Sequence, residues 1–306
     1  MNSHSHSFAL LFPGQGSQSL GMLSELSESF NIVQKIFSQA SDVLHYDLWE
    51  VVQKGPVEKL DQTEFTQPAL LAADVAVYRY WKSVTEKTPR FLAGHSLGEY
   101  AALVCAESID FEDAISLVSY RGQYMQAAVQ KDAGAMAAIV GLADNVVVDV
   151  CHQASRVGVV SPANYNSIGQ IVIAGETIAV DKAIALAKIA GAKIAKKIPV
   201  SVPSHCALMQ PAADKMAEKL KSIHIKKPKI AVIQNADVKS FDSPDNIRDA
   251  LVRQLTSPVR WVETVQYMIE KNCKLFFECG PGKVLTGLNK RISLEITTES
   301  LNVIQQ

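Results

Sequence analysis

One short stretch, residues 91–106, constrains the fold of this chain more than any other. Its apolar start at Phe91 predicts a buried parallel strand, and the residues from Glu99 onward predict a helix. Between them the chain reads Gly-His-Ser-Leu-Gly over 94–98, a G-x-S-x-G pattern whose strand–turn–helix setting is typical of a nucleophile elbow. The glycines lack a Cβ atom and let the backbone turn sharply around Ser96. We therefore predict that Ser96 is a nucleophile, with a structural serine in an ordinary turn as the alternative.

The same turn predicts donors for developing negative charge. Unpaired N–H groups and the helix dipole favour an anion at a helix N-terminus, and the amide of Leu97 is the first such donor. A second predicted strand, Phe8–Phe12, ends in a glycine-rich loop that can aim backbone amides and the side chain of Gln15 at a bound group. An ordinary turn is the alternative for this loop. His95 lies next to Ser96 and points elsewhere on such a turn, so we expect it to pack or hydrogen-bond.

The order of the other segments predicts an α/β fold. Strands and helices repeat along most of the chain, which favours a parallel sheet covered on both faces. Residues 131–199 differ, because the order strand, helix, strand, strand, helix, strand predicts an inserted ferredoxin-like unit. We predict a large domain of residues 1–130 and 200–306 around this insertion. Ligands of open parallel sheets bind at the carboxyl ends of the strands, and a hairpin over 164–170 can form one wall of that cleft.

Apolar spacing and capping residues predict the bounds of individual elements. Helices are expected over 31–45 and 67–84, where apolar residues recur at three- and four-residue steps. Another helix is expected from Asp110, with Asp113 in the capping-box position. In the insertion, a strand is expected over 157–163.

Two polar residues have both a non-functional and a functional interpretation. Arg121 is the one cation in the largely apolar helix predicted over 114–125. Such an arginine usually extends to solvent, but its fork of donors also suits a carboxylate ligand. His205 follows two prolines and two serines in a loop that re-enters the large domain. It is the best candidate for a general base, with an exposed loop histidine as the alternative.

Composition limits the class of protein. The 306 residues carry a formal net charge of -1, which argues against bulk nucleic-acid binding. Five cysteines without a C-x-x-C pair or regular spacing predict free thiols in a reducing compartment and no metal site. The polar first seven residues predict no signal peptide, and no apolar run has the length that spans a bilayer. We expect a cytoplasmic protein.

Five short motifs occur in order along the chain. They are Phe-Pro-Gly-Gln-Gly-Ser-Gln over 12–18, Gly-His-Ser-Leu-Gly-Glu-Tyr over 94–100, Tyr-Arg-Gly over 120–122 followed by Met125, Val-Pro-Ser-His over 202–205, and Gly-Pro-Gly over 280–282. Together they resemble the malonyl-CoA:acyl carrier protein transacylases, the acyltransferases of bacterial fatty-acid synthesis. The resemblance covers nearly the whole chain. It implies an α/β-hydrolase-like large domain with a ferredoxin-like insertion, in agreement with the order of predicted strands and helices.

The resemblance also implies catalytic roles. Ser96 would be the acylated nucleophile and His205 its general base. The backbone amides of Gln15 and Leu97 would form the oxyanion hole, and the main-chain carbonyl of Gln254 would orient His205. The site thus resembles a Ser–His dyad supported by a carbonyl oxygen, without the acid of a triad.

Substrate contacts are implied as well. Arg121 would hold the free carboxylate of malonate, and Met125, Asn166 and Gln170 would contact the substrate. The chain departs from the family at Ile168, where the family usually has proline. Because Ile168 lies in the hairpin, the geometry of Asn166 and Gln170 depends on this departure.

The implied reaction transfers malonyl from malonyl-CoA to the phosphopantetheine thiol of acyl carrier protein. A malonyl-serine intermediate predicts ping-pong kinetics, with no cofactor and no metal. Carrier proteins of this type are acidic, so a basic rim is expected, with Lys283, Lys290 and Arg291 as candidates. Nothing in the sequence demands a dimer, and we expect a monomer that binds neither nucleic acid nor membrane.

Two other functions share some of these features. A serine esterase or thioesterase has the elbow, but it normally has an acidic partner for the histidine and little use for Arg121. A non-catalytic scaffold that binds the carrier would retain the fold, but loss of Ser96 or His205 would be expected there. Both residues are present.

Overall fold

The computed structural model describes residues 7–200 and 202–301. The polar start of the chain, on which the absence of a signal peptide was predicted, lies outside these ranges except for Ser7. The strands are β1 (Phe8–Phe12), β2 (Phe91–Gly94), β3 (Gly134–Val140), β4 (Val160–Ser167), β5 (Gln170–Glu176), β6 (Ile194–Lys197), β7 (Ala231–Ile233), β8 (Leu275–Glu278) and β9 (Thr297–Ser300).

The helices pack around two sheets. They are α1 (Ser24–Ser29), α2 (Asn31–Leu44), α3 (Leu48–Lys54), α4 (Val57–Leu60), α5 (Thr63–Ser83), α6 (Gly98–Cys105), α7 (Phe111–Ala128), α8 (Asp144–Ala154), α9 (Thr177–Ile189), α10 (Gln210–Lys221), α11 (Pro244–Thr256), α12 (Trp261–Glu270) and α13 (Val284–Asn289).

The first sheet confirms the predicted parallel architecture. Its order is β7-β2-β1-β8-β9, and each neighbouring pair runs parallel. Side chains of β1 alternate between the two faces: Leu10 and Phe12 join one buried apolar cluster, whereas Ala9 and Leu11 join another. Every residue of β1 and β2 is buried, as expected for parallel strands covered by helices on both faces. The loops after β1, β2 and β7 therefore leave a rigid sheet at one common edge.

The second sheet is built from the segment between α7 and α10. Its order is β4-β5-β3-β6 with antiparallel pairing, and the chain order β3-α8-β4-β5-α9-β6 is the predicted ferredoxin-like arrangement. Helices α8 and α9 bury an apolar cluster of their own against it. The N–H of Tyr165 donates to the carbonyl of Val259 at 2.9 Å, and the N–H of Val259 donates to Ala163 at 2.9 Å. Strand β4 is thereby fastened to the segment that precedes α12.

Two predicted bounds are wrong, and one predicted capping bond is absent. Helix α5 begins at Thr63, four residues before the predicted start, and contains Pro68 in its interior. The strand predicted over 157–163 runs over Val160–Ser167, so the hairpin turn is shorter than expected. Asp110 occupies the N-cap of α7 but forms no capping bond. Its carboxylate pairs instead with Lys226 at 3.0 Å.

Several short helices and one short strand were not predicted from the sequence. Helices α1, α3 and α4 span four to seven residues each, too few for a helical period to be visible. Strand β9 is also short and half-exposed. Within the described residues, no helix combines the length and apolar character needed to cross a membrane.

Candidate active site

The G-x-S-x-G segment forms a sharp turn between β2 and α6. Ser96 has a φ of 53°, a left-handed conformation that costs a non-glycine residue on the order of 1 kcal/mol. A Cβ atom on Gly94 would lie 1.9 Å from the carbonyl carbon of Gly98, and one on Gly98 would lie 2.1 Å from the carbonyl oxygen of Phe12. Both glycines are therefore required by close backbone packing. This packing brings Ser96 beside the loop that follows β1.

Ser96 and His205 form a hydrogen-bonded pair, although 109 positions separate them in sequence. Ser96 Oγ lies 2.7 Å from His205 Nε2, and His205 Nδ1 lies 2.8 Å from the carbonyl oxygen of Gln254. Since a carbonyl oxygen only accepts, Nδ1 carries the proton and Nε2 is free to accept from the serine hydroxyl. The histidine is 3% exposed, so the alternative of a surface loop residue is excluded.

The environment keeps this imidazole neutral. Burial, and after it the nearby charge of Arg121, lower the pKa of His205 from its ordinary value to about 3. The bond to the Gln254 carbonyl opposes this shift. A neutral imidazole at physiological pH is the form that can take a proton from Ser96.

Arg121 lies inside the protein and does not extend to solvent. It is 1% exposed, and its guanidinium donates to Gln67 Oε1 at 2.8 Å, Gln254 Oε1 at 2.9 Å and Ser96 Oγ at 3.2 Å. These acceptors are all neutral. The buried carboxyl group of Glu99 acts on this charge but forms no hydrogen bond with it. A buried cation whose hydrogen-bond acceptors are neutral favours an anionic ligand, because transfer of an unpaired charge out of water is costly.

Gln254 contacts three of these groups at once. Besides its carbonyl contact with His205, its side chain accepts from Arg121, and its Nε2 donates to the carbonyl oxygen of Ser96 at 3.0 Å. The Ser96 carbonyl also accepts from the N–H of Glu99 at 3.1 Å. Because the peptide unit is planar and trans, fixing this carbonyl fixes the opposite direction for the N–H of Leu97.

One cavity contains most of the residues predicted from the sequence. Ser96, Leu97, Arg121, His205, Gln15, Met125 and Asn166 all line it. Gln254 lies behind them and is 1% exposed. Gln170 is the exception, since it does not line the cavity: its Oε1 accepts from Ser167 Oγ at 3.2 Å and from Arg291 at 2.8 Å.

The hairpin of the second sheet forms a wall of the cavity through Asn166. Its Oδ1 lies 2.8 Å from His95 Nε2, so His95 has the hydrogen-bonding role predicted for it. The hairpin turn consists of Ile168 and Gly169, and Gly169 has a φ of 69°. A two-residue turn with a positive φ only at its second position is of type II, which accepts proline at the first position. Isoleucine in place of the family's proline is therefore compatible with the turn.

Other residues of the site were missed by the sequence analysis. Gln67, from α5, accepts from Arg121, and its Nε2 lies 3.5 Å from Met125 Sδ. Asn235 follows β7 and accepts from the N–H of Ser96 at 2.7 Å. The rule that pointed to Gln15 and Ser96, a polar residue after a strand of the parallel sheet, also applies to Asn235. Within the described residues, no group of three or more histidine, cysteine, aspartate or glutamate side chains could hold a metal ion.

Comparison with known proteins identifies the family. Residues 9–295 match the family model described as acyl transferase domain. The malonyl CoA-acyl carrier protein transacylase of Escherichia coli strain K12 is 54% identical over 295 residues, covering 96% of this chain and 96% of that protein. The protein of the same name from Bacillus subtilis strain 168 is 42% identical, covering 95% of this chain and 92% of that protein.

Solved structures give the same result. The malonyl CoA-acyl carrier protein transacylase from Coxiella burnetii is 55% identical, with a TM-score of 0.96 over 97% of this chain and 94% of that chain. A malonyl-transacylase in complex with a type II PKS acyl-carrier protein is 53% identical, with a TM-score of 0.96 over 97% and 96% of the two chains. The chain described here thus belongs to the acyl transferase domain family, among the malonyl CoA-acyl carrier protein transacylases.

Proposed function

We propose that this chain transfers the malonyl group from malonyl-CoA to the phosphopantetheine thiol of acyl carrier protein. The observation that carries the proposal is the 2.7 Å contact of Ser96 Oγ with His205, together with the 3.2 Å contact of the same oxygen with Arg121. A nucleophile, a base and a carboxylate-binding group thus meet at one atom. We infer the substrates, malonyl-CoA and acyl carrier protein, from the family to which the chain belongs.

In the first half-reaction, Ser96 Oγ attacks the thioester carbonyl of malonyl-CoA. His205 Nε2 takes the hydroxyl proton as the C–O bond forms, and such general-base help contributes on the order of 10²–10⁴ in rate. The amides of Leu97 and Gln15 donate to the oxyanion, each worth roughly 10²–10³. The C–S bond then breaks, His205 returns the proton to the coenzyme A thiolate, and malonyl stays on Ser96 as an ester.

The second half-reaction reverses these steps with a different thiol. The phosphopantetheine thiol of the carrier gives its proton to His205 and attacks the malonyl-serine ester. The intermediate collapses, Ser96 leaves with the proton, and the malonyl thioester of the carrier is released. The two thioesters are chemically alike, so the reaction needs no cofactor, oxidant or metal. Ping-pong kinetics follow from the shared serine ester.

Arg121 determines the preference for malonyl groups. Its guanidinium is buried among neutral acceptors, so the free carboxylate of malonate is a better partner than the methyl group of acetate. A hydrogen bond to a charged group contributes roughly 1.5–3 kcal/mol, and an unpaired buried partner adds a further cost. Malonyl transfer is therefore favoured over acetyl transfer by about tenfold or more.

Three further expectations belong to this proposal. Residues 131–199 act as an inserted domain within the large domain of 1–130 and 200–306, and their strands all belong to the second sheet. The chain works in the cytoplasm, an assignment supported by the free state of all five of its buried cysteines. The basic candidates Lys283, Lys290 and Arg291 flank α13, and Arg291 contacts the hairpin through Gln170.

The test is an adduct measurement. The chain is incubated with malonyl-CoA, and its intact mass is recorded before and after the addition of carrier protein bearing phosphopantetheine. We expect a malonyl adduct that peptide mapping assigns to Ser96 and that the carrier discharges much faster than water. The variant Ser96→Ala should form no adduct.

The other outcomes identify the rival functions. An adduct that water discharges as fast as the carrier does would indicate a thioesterase. Absence of an adduct on a chain that still binds the carrier would indicate a scaffold. Either result contradicts the transfer proposed here.

A further inference from the structure

Ser96 is held in a conformation that its own residue type does not favour. Its φ of 53° lies in the left-handed region, and Gly94 and Gly98, which bound the turn, have no side chains that could hold it. The bend must therefore be stabilised from outside the turn. The groups that contact its backbone decide where the hydroxyl points.

One residue contacts the backbone on both sides of the bend. The Oδ1 of Asn235 accepts from the N–H of Ser96 at 2.7 Å, and its Nδ2 donates to the carbonyl of Gly94 at 2.6 Å. The main chain of Asn235 is also engaged, since its N–H donates to Glu99 Oε2 at 2.7 Å and its carbonyl accepts from the N–H of Arg260 at 3.3 Å. Asn235 is fully buried.

The sheet explains why this position reaches the bend. Strand β7 lies beside β2 in parallel, with Ile233 paired to Ala93, so the residue two positions further on lies next to the turn. A planar amide carries one acceptor and one donor side by side, which matches an N–H and a C=O of the same bend. An ionised carboxylate cannot donate, and an aliphatic side chain can do neither.

We propose that Asn235 is a positioning residue for acyl transfer, whose side-chain amide clamps the Gly94–Ser96 backbone so that the serine hydroxyl faces His205. The inference rests on the proposed function of Ser96. It also separates the roles of two neighbouring amides, because the N–H of Ser96 is used by the clamp and the N–H of Leu97 is left for the oxyanion.

The test compares the acylation rates of the intact parent chain, Asn235→Leu and Asn235→Asp in single turnovers with malonyl-CoA. Leucine has the same number and branching of side-chain heavy atoms as asparagine but lacks both polar contacts. We expect the maximal acylation rate of Asn235→Leu to fall about 10²-fold, the effect of a reacting group misplaced by about 1 Å. The malonyl-CoA concentration for half-maximal rate should change less than about threefold, because Arg121 is untouched.

Asn235→Asp gives a readout that a purely structural role would not move. A protonated carboxyl group has a donor and an acceptor, as the amide does, whereas an ionised one cannot donate to the Gly94 carbonyl. The acylation rate of this variant, relative to the parent, should therefore rise as pH falls. Burial and the neighbouring carboxyl group of Glu99 raise the pKa of the introduced aspartate. The charged groups around the position are Glu99, Arg121, Asp237 and Arg260.

Asn289→Leu is the matched control. Asn289 is also fully buried and uses its amide twice, accepting from Trp261 Nε1 at 3.0 Å and donating to Thr298 Oγ1 at 3.2 Å, but it does not line the cavity. The Asn289→Leu variant should have a lower thermal stability than the parent chain and the same acylation rate.

Each outcome decides between the proposals. If Asn235→Leu acylates as fast as Asn289→Leu, or if Asn235→Asp follows the parent's pH profile, the clamp is wrong. If Asn235→Leu does not fold, the pH profile of Asn235→Asp alone decides. If the parent chain forms no adduct, the proposed function fails instead.

Discussion

The two sheets contribute to the site in different ways. The parallel sheet contributes through the ends of its strands, since Gln15, Ser96 and Asn235 follow β1, β2 and β7. The antiparallel sheet contributes side chains along its strands, since Met136, Asn166 and Val172 line the cavity.

This difference corresponds to a difference in burial. All residues of β1 and β2 are buried, whereas β3 and β4 contain both buried and half-buried positions. Strand ends of a fully covered sheet fix backbone atoms, which suits chemistry that depends on the direction of N–H groups. The side chains of Met136 and Val172 fix the shape of a wall and no backbone N–H direction, so we expect changes there to have smaller effects.

The largest effect is expected for His205→Ala, at the parallel edge. Loss of the proposed base, which contacts Ser96 Oγ, should lower the acylation rate by about 10²–10⁴. The measurement is the release of coenzyme A in the first turnover. His224→Ala, at an exposed histidine, is the matched control and should keep the parent's rate. A small loss for His205→Ala would contradict the dyad.

Gly94→Ala tests the rigidity of the same edge. A Cβ at 1.9 Å from the Gly98 backbone forces the turn to move, and we expect a loss of unfolding free energy of about 3 kcal/mol or more in denaturant titrations. Gly287→Ala is the opposite case, because no atom lies within 4 Å of the added carbon in α13. It should gain about 0.5–1 kcal/mol. Equal effects would show that close packing does not set the elbow.

Arg121→Ala should change the choice of substrate more than the chemistry. Without the guanidinium, the ratio of malonyl to acetyl transfer should fall about tenfold or more. Arg121→Lys retains a charge without the fork and should recover part of the ratio. The measurement is kcat/KM for malonyl-CoA and acetyl-CoA with one carrier protein. Equal losses for both substrates would contradict a carboxylate-binding role.

The pH profile tests the environment of His205. Its pKa is lowered to about 3, so the neutral base persists as pH falls through 6.5, and kcat/KM should decline only in more acidic buffer. Bound malonate offsets the charge of Arg121, the second cause of this shift, and so raises the pKa of His205. The acid limb of the acylation rate at saturating malonyl-CoA should therefore lie at higher pH than that of kcat/KM. Coinciding limbs would argue against this coupling.

The smallest effect is expected in the antiparallel sheet. Ile168→Pro places proline at the first position of a type II turn, where Ile168 is 60% exposed. We expect a gain of about 0.4–1 kcal/mol in unfolding free energy and an unchanged acylation rate. Thermal unfolding and single-turnover acylation measure the two quantities. A large loss of rate would mean that the hairpin controls the chemistry as strongly as the parallel edge does.

The sequence by itself determined the features that depend on neighbouring residues. The elbow could be predicted because two glycines and a serine at fixed spacing are typical of a sharp turn between a strand and a helix. The ferredoxin-like segment could be predicted because each strand and helix of it has a visible period. The predicted N-cap position of α7 is correct, but Asp110 pairs with the distant Lys226 instead of forming a capping bond.

Only the tertiary structure decided which polar residues meet. From local pattern alone, an arginine that extends to solvent and an exposed loop histidine were the favoured interpretations of Arg121 and His205. Folding brings them to Ser96 across 25 and 109 positions, and Gln254 across 158. Asn235 follows a strand of the parallel sheet, but its role depends on β7 lying beside β2, which no local pattern reveals. Hydrogen bonds between side chains act over about 3 Å in space, whatever the separation of the residues along the chain. A periodic pattern in the sequence depends only on that separation, so it cannot predict which distant residues meet.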